Sequence, residues 1–318
     1  MDWCAEPALF SIAMQMIVRF PARFLCLGMT LILFGAVAAA SSPHDRQFWR
    51  EISKHSYAVP EGESAPRLAY ELSGLLASPD PELRDDLAYT ILAHWIRANR
   101  LSPVELNSLT DEWRGNLKSH VGESGNDSVL KRSFSALCLS EMAAHDLKAP
   151  FLGAERYRGL LNDALAYLNQ ERDLRGYDAK LGWIHATAHT ADLLRALAEN
   201  PLLTRADQPG ILRAISERLS TARSIYTHGE QDRLALAVAA IIARADFDAD
   251  ALQAWIQQMQ DTDNAMWSHT PILLDEMARY QNDTYMLEAL TARLGPAHAA
   301  TESAARAREV VFAAVRER

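Results

Sequence analysis

Helical periodicity is the feature of this 318-residue sequence that most constrains its fold. Residues 78–82 combine prolines with acidic residues, which is typical of a helix start, and Leu83, Leu87, Ile91 and Trp95 then recur along one helix face. No window alternates β-branched and polar residues between turn residues, as a half-buried strand would. The sequence therefore predicts an all-α fold with no strands.

Signals for helix termini divide most of the remaining chain into further helices. Ser102-Pro103-Val104-Glu105 has the pattern of a capping box, in which the Ser and Glu side chains satisfy the first backbone N–H groups of a helix. The tryptophans, Trp267 among them, fall mostly at apolar helix positions and are predicted to lie in the core. Later helices are predicted over about residues 125–145, 154–170, 182–199, 208–222, 231–245, 249–259, 271–294 and 296–315.

Short polar turns between these helices favour a stack of antiparallel helix pairs. A weak internal echo agrees with this, because Asp86-Leu87-Ala88 resembles Arg233-Leu234-Ala235, although no strict period is present. We therefore expect one irregular HEAT/ARM-like α-solenoid domain over residues 41–318. A compact α/α helical domain is the alternative.

The first forty residues have the pattern of a secretory signal peptide. A short basic stretch at residues 16–23 is followed by an uncharged apolar run, residues 24–40, that ends in small residues. The run has 17 residues, whereas a membrane-spanning helix needs roughly 20. We predict that residues 1–40 are cleaved, with the true start at Met14 or Met16, and that the protein is periplasmic or secreted. An uncleaved N-terminal anchor is the alternative.

The net charge argues against two classes of partner. It is −9 for the whole chain, and removal of residues 1–40 takes away two charges of each sign. Such a surface repels phosphate backbones and anionic lipid. We expect no nucleic-acid binding, and no membrane association after cleavage.

One segment, residues 171–192, differs from the rest of the chain because it combines a polar turn, two glycines and an H-x-x-x-H pair. In a helix that begins at about residue 182, His185, His189 and Asp192 would project from one stripe. Two imidazoles one turn apart can ligate the same zinc ion, and a nearby carboxylate can orient them. This stripe is the main candidate site.

Residues just before the stripe add charge and an aromatic surface. Asp173, Arg175 and Lys180 would lie near the N-terminus of the predicted helix, which is a favourable position for an anion. Trp183 could stack on a ligand. The predicted ligand-binding set is Asp173, Arg175, Lys180, Trp183, His185, His189 and Asp192.

Three interpretations of this segment remain open. The histidines could form a structural polar network, a metal-free ligand-binding or catalytic site, or a zinc site with His185 and His189 as ligands. Further zinc ligands would come from elsewhere in the chain, with His94, His228, Glu230 and Asp232 as candidates.

The same segment resembles a known family. Residues 172–177 and 180–194, with the pattern D-x-R-G-Y followed by K-x-G-W-x-H-x-x-x-H, resemble the signature of the bacterial domain-of-unknown-function family 2785 (DUF2785). Residues 81–89 and 127–135 resemble its earlier blocks. The resemblance implies a helical-repeat-like domain and brings no established activity.

These observations favour an exported helical scaffold that binds a small molecule or a peptide in a groove near His185, His189 and Asp192. The alternative function is metal-assisted hydrolysis, with His185 and His189 as metal ligands and Asp173 or Asp192 as the base or orienting group.

Overall fold

The computed structural model describes residues 44–295 and 301–318, so the predicted signal peptide lies outside the described residues. The helices are α1 (Arg46–Lys54), α2 (Ala65–Leu75), a π-type segment (Glu82–Tyr89) that continues as α3 (Thr90–Arg97), α4 (Pro103–Lys118), α5 (Ser128–Asp146), α6 (Gly153–Gln170), α7 (Ala186–Glu199), α8 (Gln208–Ser220), α9 (Glu230–Ile242), α10 (Ala249–Met266), α11 (Leu274–Arg293) and α12 (Glu302–Arg316). A 3₁₀ turn covers Arg205–Asp207, and the two short strands are β1 (Tyr177–Asp178) and β2 (Gly182–Trp183).

The all-α prediction is confirmed, with one local correction. Residues 182–185 were expected to begin a helix, but α7 starts at Ala186, and the preceding residues form an antiparallel hairpin. The prediction that the chain contains no strands is therefore wrong at this point. Helices α1 and α2 were not predicted individually.

Local signals explain where α4 begins. Ser102 Oγ accepts the Glu105 N–H at 3.4 Å, and the Glu105 carboxylate accepts the Ser102 N–H at 2.6 Å, so the predicted capping box is present. Further along α4, Trp113 lies in the core with no exposure to solvent, as predicted for most of the tryptophans. Trp267 departs from the core prediction because 56% of it is exposed just after α10.

The helices pack in two rows. In one row α3, α5, α7, α9 and α11 each contact the next, and in the other α4, α6, α8 and α10 do so. Sequential helices also contact each other across the rows, as α4 does with α5 and α6 with α7. One continuous core of buried side chains extends from Trp49 to Ala314. In residues 44–295 and 301–318, no helix combines the length and the apolar character needed to cross a membrane.

Candidate functional site

A hairpin connects α6 to α7 and determines where the candidate site residues lie. Within residues 171–185, β1 and β2 pair antiparallel, with Tyr177 opposite Trp183. Gly182 has a φ of +71°, and a Cβ there would lie 2.9 Å from Pro81 Cβ. A side chain is therefore disfavoured at this position both by backbone conformation and by space.

A buried arginine anchors this hairpin to the π-type segment. Arg84 is fully buried, and its guanidinium donates to the carbonyls of Leu181 at 2.6 Å, Trp183 at 3.0 Å and Ser78 at 2.8 Å. The guanidinium also lies 4.7 Å from the centre of the Phe134 ring. Burial lowers the pKa of Arg84. The position of the hairpin is thus tied to a residue about a hundred positions earlier in the chain.

The base of the hairpin approaches the start of α9 closely. Ile184 N–H donates to the Gly176 carbonyl at 2.9 Å. A Cβ on Gly176 would lie 2.5 Å from His228 Nδ1 and 2.7 Å from Glu230 Oε1. The absence of a side chain at Gly176 therefore allows the His228 and Glu230 side chains to pack against the hairpin backbone.

Two of the predicted ligand-binding residues pair with each other. Asp173, which is 2% exposed, accepts hydrogen bonds from Arg175 Nε and Nη2 and from the Gly125 N–H. Arg175 also donates to the Asn126 carbonyl. Burial opposes ionisation of Asp173, but the Arg175 guanidinium and the backbone N–H groups lower the carboxyl pKa below its usual value. In this arrangement both side chains tie the hairpin to the loop before α5.

A second buried ion pair lies at the end of α6. Arg132 Nε donates to Glu171 Oε2 at 2.6 Å, with both side chains almost fully buried. Arg218 donates to the backbone carbonyls of Glu171 and Leu168. These contacts fix the backbone at the point where the hairpin leaves the helix.

His185 does not lie within α7. It occupies the position before the helix with a φ of +52°, so the predicted three-residue helical stripe is wrong at this residue. Its Nε2 donates to the His228 carbonyl at 3.0 Å and lies 3.6 Å from Glu230 Oε1. The ring stacks on Trp183, with centroids 4.7 Å apart, and its centroid lies 5.6 Å from that of His189. The two histidines are therefore neighbours, but they arise from different backbone conformations.

His189 is held in one tautomer by Ser133. The Ser133 hydroxyl donates to the Ile184 carbonyl, and Ser133 Oγ lies 2.8 Å from His189 Nδ1. Because the hydroxyl proton is already committed, Nδ1 must carry the proton and donate to Oγ. The pKa of His189 lies well below its usual value because the ring is buried, and His185 and Arg233 lower it further. His189 is therefore a neutral imidazole whose Nε2 carries a lone pair.

His189 lines a cavity of about 440 Å³ between the π-type segment, α5, α7 and α9, hereafter the His189 cavity. It is lined by Tyr89, Leu137, Ser140, Glu141, Ala144, His189, Asp192, Arg195, Ala196, Glu199 and Arg233. Asp192 Oδ2 accepts a hydrogen bond from Arg233. Burial raises the pKa of Asp192 despite this guanidinium.

The opposite wall of the His189 cavity carries a second carboxylate that the sequence analysis missed. Glu141 Oε1 accepts the Tyr89 hydroxyl at 3.0 Å, and Oε2 accepts Arg97 Nε at 2.8 Å. Burial and the Glu141 charge raise the pKa of Tyr89. The one available signal was that Tyr89 closes the first family-like block at residues 81–89.

The structure separates the predicted site residues into two groups. His189 and Asp192 line the His189 cavity. Trp183 is 40% exposed on the hairpin, where it contacts Tyr177, and Lys180 is exposed at the hairpin turn. The residues that lie outside the cavity lining are Asp173, Arg175, Lys180, Trp183 and His185.

The proposed zinc ligands have different surroundings. His185 Nε2 is engaged with a carbonyl, while His94 stacks on Tyr57 and Asp232 pairs with Arg293. Across the described ranges, no group of three or more His, Cys, Asp or Glu side chains is arranged to hold a metal ion. The zinc site stays a prediction.

One comparison with known proteins gives a match. The family model described as "Protein of unknown function (DUF2785)" matches residues 117–291, which is more than half of the chain. The matched range contains α5 to α10, most of α11, the hairpin, and both His189 and Asp192. No curated protein and no solved structure matches the chain.

Proposed function

We propose that this chain, which belongs to the DUF2785 family, is an exported helical scaffold that binds a small polar molecule in the His189 cavity. The family assignment was expected from residues 172–194 and is confirmed by the family model. The family description names no activity, so the proposal rests on the geometry of the site.

The observation that carries the proposal is the state of His189. His189 is 7% exposed, its Nδ1 is satisfied by Ser133, and no donor in the described residues bonds to Nε2. A cavity of about 440 Å³ lined by a residue with one unbonded acceptor nitrogen is suited to a ligand that donates a hydrogen bond.

The scaffold supports this use of the cavity. The lining residues come from α5, α7, α9 and the π-type segment, so rigid helices hold them in place. The two rows of helices favour the proposal that residues 41–318 form a HEAT/ARM-like stack of antiparallel pairs. In such a stack, successive helices of one row present their exposed sides on one continuous surface.

Ligand binding is a better fit to the histidines than zinc-assisted hydrolysis. His185 Nε2 donates to the His228 carbonyl, which leaves only Nδ1 of that ring with a lone pair. In the described ranges no group of three or more His, Cys, Asp or Glu side chains is arranged to hold a metal ion. Elemental analysis of the purified protein tests this preference. Stoichiometric zinc that disappears in a folded His185→Ala/His189→Ala variant would favour the hydrolase instead.

The binding proposal can be tested with a His189→Asn variant. The shorter Asn amide can donate to Ser133 Oγ as Nδ1 does, but it has no atom at the position of Nε2. A library of soluble polar fragments is screened by ligand-observed NMR against the wild-type protein and the variant. We expect a set of fragments that bind the wild-type protein and not the variant.

His145→Asn provides the matched control, since His145 is another buried histidine and does not line the His189 cavity. The control should bind the same fragments as the wild-type protein. If folded His189→Asn and wild-type protein bind the same fragments equally, the proposed site is wrong.

Export is tested separately. The full chain carrying a C-terminal tag is expressed in a bacterial host, and the purified product is analysed by N-terminal sequencing. We expect the mature protein to begin near Ser41 and to be recovered from the periplasm or the medium. Recovery of cytoplasmic protein that retains residues 1–40 would contradict export.

A further inference from the structure

We propose that the ligand group bound in the His189 cavity is a primary ammonium, held by His189 Nε2 and Asp192 Oδ1. This inference rests on the proposed function and adds the chemical class of the ligand. The ammonium could belong to a free small amine or to a lysine side chain of a peptide, and the experiment below separates these sources.

Two acceptor atoms, one on each of two cavity-lining residues, have no donor among the described residues. His189 and Asp192 are three residues apart on α7, so their side chains are neighbours on one face of the helix. Arg233 donates a hydrogen bond to Asp192 Oδ2, whereas no donor among the described residues bonds to Oδ1. His189 Nε2 is an acceptor for the reasons given above. A ligand that fits both atoms must supply at least two donors from nearly the same position.

An ammonium meets this requirement, because it has three donors and no acceptor. A hydroxyl supplies a single donor, and a carboxylate supplies none. The Glu141 carboxylate, which pairs with Arg97, also lies in the lining of the cavity. An anion placed there would meet the Asp192 and Glu141 carboxylates and the imidazole lone pair.

The arginines in the lining do not reverse this preference. Arg195 pairs with Glu199 at 3.0 Å and is 47% exposed, and Arg233 pairs with Asp192 and is 44% exposed. Solvent screens charges at such positions, so their repulsion of a cation in the interior of the cavity is weak. A structural zinc ion would need four ligands, and in residues 44–295 and 301–318 no group of three or more His, Cys, Asp or Glu side chains is arranged to hold one.

The test uses three four-carbon probes of similar size: n-butylammonium, butyrate and 1-butanol. Each is titrated into the wild-type protein by isothermal calorimetry, with ZnCl₂ as a fourth titrant. Among these four titrants, we expect saturable binding of n-butylammonium alone. Nα-acetyl-lysinamide is the fifth titrant, and tighter binding of this compound than of n-butylammonium would assign the ammonium to a peptide lysine.

Two substitutions should move the affinity for n-butylammonium in opposite directions. Asp192→Asn removes the negative charge and should weaken binding about tenfold or more. Arg233→Gln removes the competing guanidinium and should tighten binding a few-fold, about two- to fivefold. Asp111→Asn changes an exposed aspartate on α4 and should leave the affinity unchanged. Circular dichroism establishes that each variant is folded, and Arg233→Gln keeps the test informative if Asp192→Asn does not fold.

Each contrary result has a distinct meaning. Binding of butyrate or 1-butanol that depends on His189, without binding of n-butylammonium, would overturn the ammonium assignment and leave the cavity as a ligand site. Stoichiometric zinc binding lost in both His189→Asn and Asp192→Asn would replace the ammonium by a metal. If the binding of the probes and of every fragment is independent of His189, the ammonium assignment and the proposed function both fail.

Discussion

The buried ion pair between Arg132 and Glu171 allows a quantitative test of how the hairpin is held. The guanidinium contacts both carboxylate oxygens, at 2.6 and 3.2 Å, and the two side chains are 1% and 3% exposed. Glu171 Oε1 also accepts the N–H groups of Arg172 and Asp173, each at 2.9 Å. The carboxylate thus holds the first residues of the hairpin, and the guanidinium compensates its charge.

Replacing Arg132 with Met removes the guanidinium and approximately preserves the side-chain volume. The variant leaves Glu171 as an uncompensated charge, and breaking a buried pair in this way costs about 3–5 kcal/mol. Because two backbone N–H groups still donate to the carboxylate, we expect a value near the lower limit, about 3 kcal/mol. The Ser119 carbonyl and Ser128 Oγ also lose a donor, so the loss of stability should not be much smaller than this value.

The double variant Arg132→Met/Glu171→Gln isolates the charge. The Gln amide oxygen can still accept the two backbone N–H groups, but the side chain carries no charge to compensate. We expect the double variant to be about 1–2 kcal/mol more stable than Arg132→Met alone. Urea unfolding monitored by circular dichroism gives the free energy of unfolding for the wild type and the variants.

The reasoning would be refuted by either of two results. One is a loss of less than about 1 kcal/mol for Arg132→Met, which is the value of an exposed pair. The other is a double variant less stable than the single variant, since the carboxylate charge would then not be the origin of the cost.

Three further predictions concern stability. Burial lowers the pKa of His189 well below 6.5, so at low pH the unfolded chain binds a proton that the folded protein does not. The free energy of unfolding should therefore fall as the pH drops below about 6.5, by up to about 1.4 kcal/mol per pH unit from this residue. In urea unfolding between pH 6.5 and 5, His189→Asn should show a weaker dependence of the free energy of unfolding on pH, and an unchanged dependence would contradict the assignment. Gly176→Ala should lower the free energy of unfolding by about 1–3 kcal/mol, because the new Cβ would overlap the His228 ring, and a thermal shift within error of the wild type would count against that contact. Ser102→Ala removes the cap of α4 and should cost about 0.5–2 kcal/mol in the same urea assay, whereas no loss would mean that the hydroxyl does not cap the helix in solution.

The sequence alone was sufficient for the fold class, most helix positions and the family. Helix periodicity and capping depend on residues three or four positions apart, and such patterns are visible without a structure. The capping box at Ser102 was correct for this reason. The family signature at residues 172–194 was also readable, since it is a local string of residues, and it directed attention to His189 and Asp192.

The tertiary structure decided which side chains meet. His185 has a left-handed backbone because the hairpin is held by Arg84 and packs against His228, and neither residue is close to it in sequence. Ser133, which lies 56 positions earlier, decides which ring nitrogen of His189 carries the proton.

The walls of the His189 cavity are also formed by side chains that are far apart in sequence. Tyr89 and Glu141 are 52 positions apart, and Asp192 and Arg233 are 41 positions apart. Periodicity within one helix cannot reveal such pairs, because they exist only where helices from distant parts of the chain pack side by side.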